Sequence, residues 1–241
     1  MGEIVITKHK FDSFDYSMQL DDPVAYIITL KGHPTSERLS ARCQETCKQI
    51  GQPYQTWDAF DGTSGEIYYP EHALGQGHYK WLKQMNDRLT ITEVATILSH
   101  YSLWCKCVED DKAIVILEHD AVMIQPYKSH NGWNQIEYLG NYEQYQAGKW
   151  PDFPIMAAAT KNWRFLCRAH AYSIDPAVAR QLISHVIKFG LSAPADMLIR
   201  ADLFPIVQKG FYAFDVPDET TITGRDSNWQ EHAKEIFSSF T

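Results

Sequence analysis

Ala113-Ile114-Val115-Ile116-Leu117-Glu118-His119-Asp120 decides the fold. Five apolar residues in succession, without polar alternation, mark a strand buried on both faces, the habit of a central strand in a parallel sheet. The run ends in two carboxylates flanking an imidazole. Ligands of open α/β sheets bind at the carboxyl ends of the strands, so the residues that close this strand are also the first place to look for chemistry.

Working outward, the segment before it reads as the best helix of the chain. Thr90 and Glu93 fit a capping box, Val94, Ile97, Leu98, Tyr101, Cys105 and Val108 share one face, and Glu109-Asp110-Asp111-Lys112 ends it. Further upstream, Val24–Leu30 is an apolar run of strand length broken by Lys31-Gly32-His33-Pro34. A helix follows from Ser36, with Leu39, Cys43, Cys47 and Ile50 as its apolar stripe and Gly51 as its stop. Residues 54–59 then alternate like a strand. Strand, helix and strand within about forty residues form a βαβ unit, which predicts a parallel sheet. Downstream, Phe153–Ala159 reads as a further buried strand. Asp175-Pro176 opens a helix over 176–189 that stops at Gly190, and a short helix is expected near Asp196–Leu203. Residues 62–89 read as an irregular excursion with a short helix near Tyr79–Met85, residues 126–154 as loops, and the C-terminus as an amphipathic tail. The expectation is an α/β chain with an N-terminal arm over 1–22 and a single domain over 23–241, its mainly parallel central sheet flanked by helices.

Composition narrows the partners. At 241 residues the chain can bury a sizeable core, and 44% apolar with 22% charged residues is ordinary for a soluble globular protein. The net charge of -8, with no Lys/Arg run, argues against nucleic acid or an anionic membrane surface. No run reaches membrane-spanning length, and the N-terminal stretch has no apolar signal core, so no integral membrane segment is expected. Five cysteines (Cys43, Cys47, Cys105, Cys107, Cys167) without a CxxC pair read as reduced thiols of a cytoplasmic protein.

Two strand ends carry suggestive residues: Thr29-Leu30, leading to Ser36-Glu37-Arg38, and Glu118-His119-Asp120. A cluster of acceptors directly after a buried strand is costly unless a cation neutralises it. A divalent metal held by one or two carboxylates, with phosphate oxygens completing its shell, is a usual way to bind a nucleoside diphosphate. The other reading of Glu118-His119-Asp120 is a turn or helix cap.

Several segments in order resemble glycosyltransferase family 25, the group of bacterial lipooligosaccharide galactosyltransferases and collagen hydroxylysine galactosyltransferases. They are Tyr26–Leu30, Ser36-Glu37-Arg38, Asp58-Ala59-Phe60-Asp61-Gly62, Thr92-Glu93-Val94 with Ser99-His100 and Trp104, Leu117-Glu118-His119-Asp120, Ala171-Tyr172-Ser173-Ile174-Asp175 with Ala177 and Ala179, and Pro194-Ala195-Asp196. The similarity spans roughly residues 24–200. It implies a GT-A type, Rossmann-like fold, a UDP-sugar donor, a divalent ion, usually manganese, and inversion at the anomeric carbon, with a glycan or protein hydroxyl as acceptor.

The family's Glu-Asp-Asp is Glu-His-Asp here. On the resemblance, Asp120 is the metal ligand; His119 either joins it, since manganese accepts imidazole, or turns away. Glu118 contacts the donor ribose or sugar, or caps a turn. Thr29, Leu30 and Asp58 belong to the donor pocket, as does Arg38 if it pairs with diphosphate or uracil rather than lying solvated on its helix. Ser99 and His100 face the donor or are hydrogen-bonded core residues. Asp196 is the general base for the acceptor hydroxyl, or else the N-cap of a helix starting near Met197. The alternative function is a catalytically degenerate glycosyltransferase-fold protein that binds a nucleotide or glycan.

Overall fold

The computed structural model describes residues 22–64, 89–128, 135–140, 169–200, 203–208 and 210–215. The expected arm over 1–22 (apart from Asp22), the helix near Tyr79–Met85, the strand over Phe153–Ala159, Cys167 and the C-terminal tail lie outside them.

The first unit is the βαβ that the pattern predicts. Strand β1 (Ala25–Thr29) runs parallel to β2 (Tyr54–Asp58), and helix α1 (Pro34–Ile50) makes the crossover. The helix starts two residues earlier than expected. Pro34 opens it rather than breaking the chain, because a first-turn proline lacks only an N–H that would have no helical partner. His33 caps it through Nδ1, which accepts from the Ser36 N–H at 3.4 Å. Gly51 closes it at φ 75°, a left-handed cap that glycine takes without strain.

Helix α2 (Ile91–Asp110) has the expected capping box, with Thr90 and Glu93 bonded reciprocally. It leads to β3 (Ile114–Glu118), which lies parallel beside β1. Alternate residues of these strands fall into two cores. Tyr26, Ile28, Ile114 and Ile116 pack toward α2; Ala25, Ile27, Val115 and Leu117 pack with Cys43 and Cys47 of α1. Burial on both faces explains the unbroken apolar run from which the fold was read.

The far half of the sheet is mixed. Strands β5 (Ile136–Tyr138) and β6 (Ala171–Ile174) enter antiparallel, β6 against β3 and β5 against β6, while β7 (Ile206–Val207) is parallel to β5. The order is β2-β1-β3-β6-β5-β7, with three of the five pairings parallel. Short strands β4 (Val122–Met123) and β8 (Ala213–Phe214) pair antiparallel as a second sheet.

Helix α3 (Pro176–Phe189) has its cap where expected, the Asp175 carboxylate accepting from the Ala177 and Val178 N–H groups at 3.0 and 3.1 Å. It packs on α2. Helix α4 (Ala195–Leu198) is a single turn with Pro194 at its cap, so Asp196 sits inside the first turn and is not the N-cap. Among the described residues no helix is long and apolar enough to cross a membrane.

Candidate active site

The carboxyl ends of β1, β2 and β3 open into a cavity of about 270 Å³, near the lower end of the small-molecule range. Leu30, Lys31 and His33 line it from the end of β1, and Phe60, Asp61 and Thr63 from the end of β2. Thr96, Ser99 and His100 of α2 form its wall, and Glu118, His119 and Asp120 its floor.

Each floor residue is held from one of the two flanking helices. From α2, His100 is fully buried and its Nε2 stands 3.2 Å from Glu118 Oε1. From α1, Ser36 Oγ accepts the Leu30 N–H at 2.9 Å and lies 3.3 Å from His119 Nδ1. Arg42, also on α1, donates from Nη2 to the Asp120 carbonyl oxygen at 3.3 Å.

The charges do not balance. Burial pushes the Asp120 carboxyl up to about 7, and the negative charges of Glu118 and Asp215 add to the shift. Its Oδ1 is buried and has no hydrogen-bond partner among the described residues. Glu118 goes the other way: burial raises it, but the His100 hydrogen bond and the nearby imidazoles hold it below the usual carboxylate range. Burial pushes the His119 imidazole down, favouring its neutral, ligating form.

This donor set suits a divalent cation. Among the described residues no three His, Cys, Asp or Glu side chains stand together as a complete metal cage. An ion bound through one or two protein carboxylates, with phosphate and water oxygens filling its other positions, needs no such cage. Asp120 would hold it, with His119 beside it.

Of the expected donor-binding residues, Leu30, Ser99, His100 and Glu118 line the cavity, as do the expected metal ligands His119 and Asp120. Thr29 is not among the lining residues. Its hydroxyl donates to the Ile27 carbonyl and pairs with Ser40 Oγ at 2.6 Å, so it ties β1 to α1. Arg38 is exposed on α1 and does not line the cavity; Arg42, one turn along, is the arginine that reaches the Glu-His-Asp segment. Asp58 also stands outside the lining, at the rim, where its Oδ2 accepts from Lys31 Nζ at 2.6 Å. Ser99 works through the backbone, accepting the Phe60 N–H at 3.0 Å and thereby fixing the loop after β2. Asp196 is half-buried in α4, which packs on α2, and is not a lining residue of this cavity.

Lys31, His33, Arg42 and Asp215 were not anticipated. The first two fall in a stretch that reads as a breaker. Asp215 follows the two-residue strand β8, too short to show a period.

The profile of glycosyltransferase family 25 (LPS biosynthesis protein) matches residues 22–199. The chain belongs to glycosyltransferase family 25. It is therefore a glycosyltransferase by family, and the matched stretch includes every cavity-lining residue. Among solved structures, the galactosyltransferase LgtC in complex with donor and acceptor sugar analogs aligns over 90% of this chain and 95% of its own, at 8% identity and a TM-score of 0.46. A glycosyltransferase involved in the glycosylation of the major capsid of PBCV-1 aligns over 90% of this chain and 99% of its own, at 8% identity and a TM-score of 0.41. A search of curated proteins gives no significant match.

Proposed function

We propose that this family 25 chain is a metal-dependent, inverting hexosyltransferase. In this reading it moves galactose or glucose from a UDP-sugar to a hydroxyl of a glycan, such as a lipopolysaccharide, or of a protein. The observation that carries it is the Asp120 carboxylate, buried at the floor of a cavity at the strand ends with one oxygen that has no hydrogen-bond partner among the described residues.

Asp120, with His119 beside it, would hold a divalent ion, manganese in this reading, whose positive charge would offset that of the departing diphosphate. The remaining work falls to side chains. Lys31 and His33 stand at the mouth of the cavity, where a diphosphate would meet them. Glu118 keeps 29% of its side chain accessible and would accept a hydrogen bond from a donor hydroxyl. A base takes the proton of the acceptor hydroxyl as its oxygen attacks the anomeric carbon, the carbon–oxygen bond to UDP breaks, and UDP leaves. Asp196, outside the cavity lining, fills that role only if the acceptor is held between the cavity and α4. One displacement inverts the anomeric centre. The four described cysteines are free thiols, which suits a cytoplasmic enzyme using a cytoplasmic donor.

The test is thermal unfolding of the wild type and of Asp120→Ala with manganese, with UDP, and with both. A ligand at a hundred times its dissociation constant stabilises the fold by about 2.7 kcal/mol. A shift that needs metal and UDP together and vanishes in the variant supports the donor site. NMR of the product anomer then reads the stereochemistry. No shift in either protein removes the UDP reading, and a retained anomer removes the single displacement.

A further inference from the structure

Behind Glu118 runs a chain of hydrogen bonds that the transfer reaction alone does not require. Trp104 Nε1 donates to Tyr172 Oη at 2.9 Å, Tyr172 Oη lies 2.9 Å from His100 Nδ1, and His100 Nε2 lies 3.2 Å from Glu118 Oε1. Trp104, Tyr172 and His100 are all 0% exposed. The imidazole and phenol planes are within 16° of parallel.

Donor and acceptor chemistry gives the chain a direction. An indole N–H can only donate, so the Tyr172 oxygen accepts from Trp104 and keeps its one hydrogen to give. A carboxylate only accepts, so His100 Nε2 must carry a hydrogen. His100 Nδ1 is then a lone pair, and the Tyr172 hydrogen has an acceptor. In this arrangement every group is satisfied. A hydrogen on Nδ1 would instead face the Tyr172 oxygen, and the phenol hydrogen would lose its acceptor inside the core, a costly state.

We propose that Tyr172 and His100 are positioning residues: anchored on Trp104, they hold Glu118 by Oε1, turn Oε2 to the cavity, and so set which donor hydroxyl the site accepts. The proposal rests on the UDP-sugar reading above. A carboxylate free to rotate would offer either oxygen to any nearby hydroxyl. Fixed by one oxygen, it has a single acceptor in a set place, and a site built to bond a hydroxyl rejects donors that lack or misplace it. The binding energy falls on the sugar and not on the nucleotide, so the chain should influence the sugar-bearing donor and leave UDP itself nearly untouched.

Two measurements on the full chain test this. The first is long-range proton–nitrogen NMR of His100, which reads the tautomer without any donor. The expected result is a hydrogen on Nε2 and none on Nδ1 in the wild type, with Nε2 still carrying its hydrogen in Tyr172→Phe because Glu118 continues to accept it. A ring protonated on Nδ1 in the wild type overturns the proposal.

The second compares the wild type, His100→Phe, His100→Gln and Tyr172→Phe for UDP affinity and for kcat and KM with UDP-galactose and UDP-glucose. Gln can still present an N–H where Nε2 stood, whereas Phe keeps only the volume. Expected are a loss of about 100-fold in kcat/KM for His100→Phe, recovery to within about tenfold of wild type in His100→Gln, and a roughly tenfold loss in Tyr172→Phe. The ratio between the two donors should move toward one in the impaired variants, while UDP affinity stays within about threefold throughout.

Equal losses of UDP affinity and turnover in all three variants, without recovery in His100→Gln, would mean that the chain only supports the fold, and the proposal fails. A wild type that binds UDP and turns over a UDP-sugar upholds the reading on which the proposal rests, so failure of the variants to follow this order is then specific to the positioning chain. A wild type that takes no UDP-sugar sinks both.

Discussion

Replacing Asp120 by Asn should stabilise the ion-free chain at alkaline pH, against the usual outcome of altering a buried charged residue. The carboxyl is raised from an ordinary 3.8 to about 7, chiefly by burial and then by the charges of Glu118 and Asp215. The folded chain therefore holds this proton more tightly than the unfolded chain. The resulting stability is fully present below about pH 4 and is lost as pH rises through about 7. Each tenfold change in proton affinity is worth about 1.4 kcal/mol, so the full loss by pH 8 is ~4 kcal/mol. The cavity opens to water on one side, which screens part of the repulsion, and ~2 kcal/mol is the working figure. Asn has the same size and cannot ionise. At pH 8, without divalent ions, Asp120→Asn should melt about 4–8 °C above the wild type, and at pH 4 the two should nearly coincide. Adding manganese and UDP should reverse the order, since only the wild type can hold the ion. Calorimetric melting at both pH values, with EDTA and with manganese plus UDP, reads all four states. A variant less stable than the wild type at pH 8 in EDTA refutes the charge imbalance. A variant that keeps the full manganese-dependent shift refutes Asp120 as ligand.

Three further outcomes are expected. Ser36→Ala removes a buried hydroxyl that accepts the Leu30 N–H and meets His119 Nδ1; it should lower manganese affinity in the presence of UDP by about 10–100-fold if His119 joins the ion, read by calorimetric titration, and an unchanged affinity would leave His119 out of the shell. Gly140→Ala would drive a Cβ into the His170 ring and the Tyr138 hydroxyl, both buried; a loss of about 1–3 kcal/mol in chemical denaturation is expected, and a neutral result would mean that these rings can move aside. Thr90→Ala breaks the capping box of α2 and should cost about 1 kcal/mol in the same assay, with turnover per folded molecule unchanged.

Local chemistry made much of the near half legible. The unbroken apolar run of β3, the capping box at Thr90 and the Asp175-Pro176 start of α3 are each decided by residues within one or two turns, and the structure follows them closely. The antiparallel entry of β6 was not legible, because pairing partners far apart in sequence leave no local trace. On β1, strand parity separates the expected residues that line the cavity from those that do not. Thr29 shares its face of β1 with Ala25 and Ile27, which pack toward α1, whereas Ile28 lies on the cavity side. The alternation is visible in the sequence, but which parity meets the ligand is set by packing. Arg38 and Arg42 pose the same problem on a helix: they lie one turn apart on neighbouring ground, and only the placement of β3 against α1 decides that Arg42 reaches Asp120.

Why the three floor residues differ so much follows from how the two layers meet at the end of β3. Glu118 is the last strand residue, and its bonded partner comes from α2; His119 and Asp120 lie past the strand, where α1 supplies Ser36 and Arg42. The α2 side satisfies its carboxylate with an imidazole N–H and keeps it ionised. The α1 side offers Arg42 to the Asp120 carbonyl oxygen and leaves Asp120 Oδ1 without a partner among the described residues. In the proposed reading, one carboxylate is thereby prepared to bond a neutral hydroxyl and the other to receive a positive charge, although they are two residues apart on one chain. Rigid elements on both faces hold this division in place before any ligand arrives, which limits the reorganisation that binding must overcome. The imidazole between them fits the same division. Burial favours the neutral form of His119 and Ser36 stands at its Nδ1, so in the proposed reading an imidazole in place of the family's middle carboxylate can sit beside an incoming cation.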